Sequence, residues 1–423
     1  MYKKITLKNG FRIITVPMKS TKTVTILVLV GTGSKYETKE INGISHFIEH
    51  MVFKGTQKRP GALEVNSTLD RVGGEYNAFT SQEYTGYWAK VDSKFLDLAL
   101  DWVSDIFLNS KFEERAIEKE KGVIIEEINL YRDMPMRHVL NLWDKLLYGD
   151  QPAGWLVSGE KETISKLKRN DFLDYLTNHY SAQNTLICLA GDISSQIVVG
   201  KIKNYFKKIR SNKPEDKLKV IEKQKEPQVL VHFKETDQTH FCLGVRAYDL
   251  FDPKRYAQKI IATILGGNMS SRLFISVRDK YGLAYYIRTL SDNSTDTGCL
   301  LTHAGVDNQN VGKALKLILK EYKSLKNKEV DKEELQKAKD YLKGRLSLVL
   351  ESSEEQASFY ADQELLTQKI LTPEKEIKEI NKVTLDDIKK TAREIFRPDK
   401  LNLALIGPFK KSEQLLRILK EAI

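Results

Sequence analysis

Cysteine is scarce. The 423 residues hold three, Cys188, Cys242 and Cys299, an odd number set far apart in apolar or strand-like surroundings. That excludes a disulfide framework and a zinc-thiolate cluster, and it fits buried, reduced thiols. Long apolar runs are missing as well. Near the start the longest is Thr25–Val30, far short of the roughly 18 residues that a spanning helix needs. The stretch Met1 to Phe11 has neither an apolar segment with a small-residue cleavage site nor an Arg- and Ser-rich composition. Unless a leader was removed beforehand, the chain therefore reads as cytoplasmic, with no membrane span. Aromatic residues are not lacking: four Trp, 18 Tyr and 16 Phe, with 41% apolar residues, exclude a disordered chain.

The net charge of +11 invites an acidic partner. Its distribution argues otherwise. Between Lys201 and Pro227 there are ten Lys/Arg against four Asp/Glu, so about half of the excess lies in one polar stretch with the character of a solvated linker. No nucleic-acid recognition motif accompanies it, and no nucleic-acid partner is expected.

At roughly 150 residues per domain the length implies two or three units. Periodicity predicts strands at Gly10–Pro17 and Thr23–Val30, helices near 41–53 and 62–72, strands at Tyr76–Phe79 and Tyr84–Val91, and helices near 94–108 and 113–131. After the linker the order returns, with strands near 228–233 and 240–246, a helix near 252–265, strands near 284–290 and 299–304, and long helices from Val311 and Lys332. The ends also correspond. Ile164-Ser-Lys-Leu167 leads to a helix and a strand closed by Gly191, and Ile377-Lys-Glu-Ile380 leads to a helix and a strand closed by Gly407. The expectation is an α+β protein of two related lobes, each a mostly antiparallel sheet packed with helices: residues 1–212, a charged linker 213–227, and residues 228–423.

The sharpest local signal is His46-Phe-Ile-Glu49-His50 in an amphipathic helical segment. Positions i and i+4 lie nearly above one another on a helix, so both imidazoles can address one ion. Glu49 stands on the adjacent side, within reach of a water at that ion. A cation that acidifies water and a carboxylate that accepts its proton are what a metallohydrolase needs. The other five histidines, at 138, 179, 232, 240 and 303, form no such pair and read as surface or satisfied core residues. A third ligand is expected from the acidic helix 117–128. Glu120 and Glu127 are seven apart and share a face, whereas Glu126 is turned about 100° from Glu127. Val123 and Ile124, one turn away, mark the shared face as the buried one. Glu127 is therefore the expected ligand and Glu120 its neighbour in support; without the histidines, a solvated charged face would be the plain reading.

The inverted order His-x-x-Glu-His, followed by Met51-Val-Phe-Lys-Gly-Thr56, resembles the inverzincin peptidases of the pitrilysin and insulinase family, in particular its short-chain members similar to mitochondrial processing peptidase. The resemblance continues through Gly73–Thr80, Tyr87–Lys90 and Glu118–Ile128. It implies one Zn2+ per chain held by His46, His50 and Glu127, with Glu49 as general base and Glu120 as an additional acidic position. It also implies a peptide substrate bound as an extended strand along Asn77, Ala78 and Thr80. Arg278 and Tyr285, in Arg-Asp-Lys-Tyr-Gly-Leu-Ala-Tyr, resemble a pair that contacts the scissile carbonyl or nearby backbone from across the cavity. The second lobe has no His-x-x-Glu-His, as a reassigned copy would not; Gly266–Phe274 lacks Gly-Lys-Ser/Thr and reads as a helix-ending turn, not a phosphate loop.

Since the family's chamber has four lobes, the resemblance implies a homodimer or a heterodimer with a related chain. The expected function is a zinc metalloendopeptidase acting on short or unfolded peptides. The alternatives are a processing peptidase that removes leader sequences, a non-catalytic scaffold subunit, and a module that captures extended peptides without cutting them.

Overall fold

Strands that are apolar on both sides decide the architecture. The computed structural model describes residues 2–422. The first half of the chain runs β1 (Lys3–Thr6), β2 (Arg12–Pro17), β3 (Thr23–Val30), α1 (Ile44–Met51), α2 (Ala62–Asp70), β4 (Glu75–Thr80) and β5 (Thr85–Asp92). It continues through α3 (Leu96–Asn109), α4 (Glu114–Asp133), α5 (Pro135–Tyr148), α6 (Lys161–Lys166), α7 (Arg169–His179), β6 (Thr185–Gly191) and α8 (Ser195–Tyr205). The second half runs β7 (Gln228–Phe233), β8 (Gln238–Arg246), α9 (Arg255–Gly266), β9 (Ala284–Asn293), β10 (Gly298–Asp307) and α10 (Val311–Asn327). Then follow α11 (Lys332–Val349), α12 (Ser353–Thr367), α13 (Pro373–Lys382), α14 (Leu385–Ile395), β11 (Leu401–Gly407) and α15 (Glu413–Ala422).

Apart from β1 and α2, every element of the first half has a counterpart at the same place in the second. The sheets agree. One has the order β1-β2-β6-β3-β5-β4 and the other β7-β11-β8-β10-β9, each antiparallel except for one parallel pair, β2 with β6 and β7 with β11. The mixed α+β class of two helix-packed sheets is thus the one expected. The short strand β1, pairing Lys3–Thr6 with Arg12–Thr15, was not.

The two compact units are not the two halves. One consists of the chain up to Asn129, Trp155–Leu218 and Ser347–Ile370; the other of Leu130–Gly154, Lys219–Leu346 and the chain from Leu371 onward. This corrects the continuous boundaries at 212 and 228, and the reason lies in strand periodicity. On β3, Val24, Ile26 and Val28 face one core while Leu27 and Leu29 face another, and on β6 Ile187 and Leu189 oppose Leu186, Cys188 and Ala190. The second face needs a cover, which is α12 from the far half of the sequence, packed on β3 and β6 through Ala357 and Ala361. In the other unit α5 covers β8 and β11 in the same way, with Val139, Leu142 and Trp143 over Cys242, Ala404 and Ile406. All three cysteines are buried and unpaired as expected, each on a strand face under one of these helices. The segment between α8 and β7 has no regular structure. Among the described residues no helix is long and apolar enough to cross a membrane.

The second unit gathers four of the seven histidines. His138 of α5 stands edge-on to His232 of β7 at 5.3 Å, and Tyr286 Oη joins His240 Nδ1 (2.9 Å) to His303 Nε2 (3.0 Å). Burial, then the positive neighbours His232, Arg132, Lys234 and Lys145, push His138 down to about 4. Burial, then Arg288 and His240, push His303 down to about 4. Both values lie below the roughly 6.5 of an unfolded chain, so the fold holds these rings neutral. The stability linked to them is present above pH about 6.5 and is lost as pH falls towards 4. The urea midpoint of the second unit should therefore drop between pH 7 and pH 4.5, and His138→Asn, which cannot take up the proton, should make the drop shallower; an unchanged drop in the variant would refute the linkage.

Candidate metal centre

α1 begins where glycine permits it. Gly43 has φ +97°, and a Cβ there would come within 2.7 Å of Ser158 O, so the turn into the helix requires glycine. The buried residues Ile44, Phe47, Ile48 and Met51 hold one side of α1 in the core, which leaves His46, Glu49 and His50 on the other. The chain leaves α1 through a loop tied to α3. Thr56 Oγ1 donates to Asp105 (2.6 Å), and Arg59 reaches Asp105 and Asp101 (2.6 Å each).

α4 supplies the facing carboxylates. Glu127 Oε2 lies 3.3 Å from His50 Nε2, and its Oε1 lies 3.6 Å from His46 Nε2. One ligand atom from each of the three residues can be chosen so that all lie within 4.8 Å of one another. The two contacts run to different oxygens of Glu127, so its carboxylate faces both imidazoles at once. Two imidazoles and a carboxylate are also a donor set that suits zinc. His50 Nδ1 donates to Glu120 Oε1 at 3.0 Å, which leaves the Nε2 lone pair for a cation. His46 Nδ1 is buried without a hydrogen-bond partner. The residues present fit the metal.

The electrostatics show a cradle built for positive charge. Burial disfavours the His50 imidazolium, but hydrogen bonds to Glu120 and Glu127 outweigh it and push the pKa up to about 9. His46, then His50, hold Glu127 well below the usual carboxylate range. Burial raises Glu120, yet His50 and Lys54 overcome this and leave it below its ordinary value. Lys54, which no motif marks, belongs to the site as well. Its Nζ lies 2.7 Å from Glu120 Oε2, so a carboxylate only 3% exposed is neutralised by a cation as well as hydrogen-bonded to His50. The signal was present in its position four residues after His50, one turn further along.

Glu127 rather than Glu126 meets the histidines, as the helical spacing predicted, but part of that reasoning fails. Val123 is 47% exposed, and the buried face of α4 is Ile117, Glu120, Ile124 and Ile128, with Glu127 at its margin. Glu126 is exposed.

Glu49 is held by Thr80, whose Oγ1 donates to Glu49 Oε2 at 2.7 Å. Thr80 was expected only on a substrate edge. It does stand there, because β4 is the terminal strand of its sheet and pairs with β5 on one side alone. On the same strand Asn77 is exposed with its Oδ1 bound to Ala78 N (2.9 Å), and Ala78 is buried. Arg278 and Tyr285 belong to the other unit and meet each other. Arg278 sits in the π-helical turn Phe274–Asp279, with its guanidinium 4.7 Å from the Phe274 ring and 5.6 Å from that of Tyr285. Tyr285, on the edge strand β9, is 77% exposed. The loop after α9 is the helix-ending turn expected from Gly266-Gly267.

These placements order the acidic residues. Competition titration against a chromogenic chelator should show Glu120→Gln weakening zinc by roughly 10–100-fold, the usual cost of losing an outer partner. Glu127→Gln should weaken it further, and Glu126→Gln should leave it unchanged. The reverse ranking of Glu126 and Glu127 would overturn the assignment.

Known proteins share sequence and fold with this chain. Residues 12–157 match the family model of insulinase (peptidase family M16), and residues 166–342 match that of the peptidase M16 inactive domain. An uncharacterized zinc protease of Bacillus subtilis is 37% identical over 409 residues, which covers 96% of this chain and 98% of the relative. Another, from Streptomyces coelicolor, is 31% identical over 421 residues, 97% of this chain and 90% of its own. Among solved structures, a protease from Helicobacter pylori superposes with a TM-score of 0.89 at 24% identity, covering 96% of this chain and 100% of that one, a likeness of fold. On the family models and these relatives, the chain belongs to the insulinase family of peptidases, peptidase family M16.

Proposed function

We propose that the protein is a zinc metalloendopeptidase that hydrolyses peptide bonds in short or unfolded peptides, with one Zn2+ per chain. The observation that carries this reading is the convergence of His46, His50 and Glu127, with Glu49 on the same helix turn tied to an edge strand through Thr80. Zinc held there would polarise the scissile carbonyl and make a water acidic near neutral pH. Glu49 would accept a proton from the attacking water and return it to the leaving amine, with its carboxylate oriented by the hydrogen bond from Thr80 Oγ1. β4 offers its unpaired edge to an extended peptide main chain, with Asn77, Ala78 and Thr80 alongside. Arg278 and Tyr285 act as donors to the substrate oxygen, on their own chain's substrate or a neighbour's.

Under this reading the unit with α1 is the catalytic lobe and the other a substrate-contacting lobe. Two chains, alike or related, enclose the chamber, and extended peptides are favoured over folded proteins. The names of the relatives support the protease reading. The inactive-domain match covers residues 166–342, which excludes every residue of the cradle and Glu49.

The test is mass spectrometry of a pool of unfolded peptides, with and without a zinc chelator. Chelator-sensitive internal cuts are expected, and Glu49→Gln should keep the metal while losing at least about 100-fold in turnover. Wild-type turnover in that variant, or cuts indifferent to chelation, would sink the proposal. Cuts confined to leader-bearing precursors would narrow it to a processing peptidase.

A further inference from the structure

α1 has eight residues and carries His46, Glu49 and His50, yet a helix of that length does not hold its shape through its own hydrogen bonds. Its first N–H groups have no intrahelical acceptor, and its N-cap is Gly43, which has no side chain to serve them. Glu37 reaches forward to do so. Its Oε2 accepts from Gly43 N at 2.7 Å and from Asn42 Nδ2 at 2.9 Å, and its Oε1 accepts from Ser45 N at 2.9 Å. The carboxyl is 4% exposed, and these donors are neutral. Burial raises its pKa, and the backbone hydrogen bonds from Gly43 and Ser45 oppose the rise.

A second tether meets the first at the same residue. Ser45 Oγ lies 2.8 Å from Tyr175 Oη on α7, which lies 2.7 Å from Thr32 Oγ1, two residues past the end of β3. Backbone held at Gly43 and Ser45 together with a side chain held at Ser45 fixes both the height of α1 and its rotation. The rotation matters because side-chain tips lie about 5–6 Å from a helix axis. A turn of about 20° would move an imidazole nitrogen by about 2 Å, which is the length of a zinc–nitrogen bond.

We propose that Glu37 is the positioning residue of the metal centre: by capping α1 from outside the helix, it sets the rotation at which His46 and His50 meet Glu127 and Glu49 meets Thr80. The inference rests on the reading of His46, His50 and Glu127 as a zinc cradle. Glu37 touches neither metal nor substrate and acts through the helix.

Glu37→Gln keeps the volume but turns an amide N–H₂ against backbone donors. Two signals read the result at a temperature where circular dichroism shows the variant folded. Zinc affinity should fall by roughly 10–100-fold, the range for lost outer support, with a changed visible spectrum of the cobalt-substituted protein. Hydrogen exchange at the amides of residues 44–50 should quicken at least tenfold, while that of β3 and β6 stays as in the wild type. Leu243→Ala, in the core of the other unit, supplies a control that lowers overall stability and should move neither signal. If Glu37→Gln does not fold, Glu37→Asp, which keeps the charge and shortens the reach, is read in the same way. Unchanged zinc affinity with unchanged exchange in α1 would overturn the proposal. Should the wild type itself bind no zinc, the zinc-cradle reading falls, and the exchange of α1 alone decides whether Glu37 holds the helix.

Discussion

The chemistry open to this protein depends on one convergence, the carboxylate of Glu127 on α4 lying 3.3 and 3.6 Å from the imidazoles of His50 and His46 on α1. Neither helix achieves this alone. α1 presents two nitrogens on one face because i and i+4 coincide, and α4 must place a carboxylate opposite them, one oxygen towards each ring. Without a cation, two carboxylates and two imidazoles that are partly or wholly buried attract protons, as the raised pKa of His50 shows. A divalent ion held by His46, His50 and Glu127 would meet the same field, and Lys54 limits the excess negative charge by pairing with Glu120.

Support for that convergence is spread over elements that do not touch a ligand directly. Gly43 permits the turn into α1, Glu37 and Tyr175 hold its start, and Arg59 with Asp101 and Asp105 holds the loop beyond its end. Those anchors stand on a sheet buried on both faces. The double burial in turn requires α12, which reaches the sheet from the far half of the sequence, with Glu364 at its end pairing with Lys4 of β1. The helix exchange thus follows from the same apolar strands that build the platform under α1.

Much of this was legible in the chain. His-x-x-Glu-His on an amphipathic segment places three functional groups by helical geometry alone, and the same arithmetic separates Glu127 from Glu126. Val123 does not share the burial expected of that face: it is exposed, because a single apolar residue on a helix surface need not be buried. The repeat was legible from element order, and the sheets bear it out strand by strand. The helices α5 and α12 were not foreseen as covers for the opposite half's strands, since periodicity reports that a face is apolar and not what lies against it. Lys54 and Thr80 are ordinary residues in local sequence; their contacts with Glu120 and Glu49 arise between elements far apart in the chain.

The sequence by itself determined the local chemistry: which residues share a helix face, which strands are apolar on both sides, where glycine must turn the chain, and the absence of a disulfide scaffold. These follow from backbone periodicity and residue type, which act over a few residues. Tertiary structure alone decided that α4 packs its Glu120 and Glu127 against α1, which hydroxyl holds Glu49, which side chain caps α1, and which half of the chain covers which sheet. Each of those is a contact between segments distant in sequence, and its partner is chosen by packing, which no local pattern encodes.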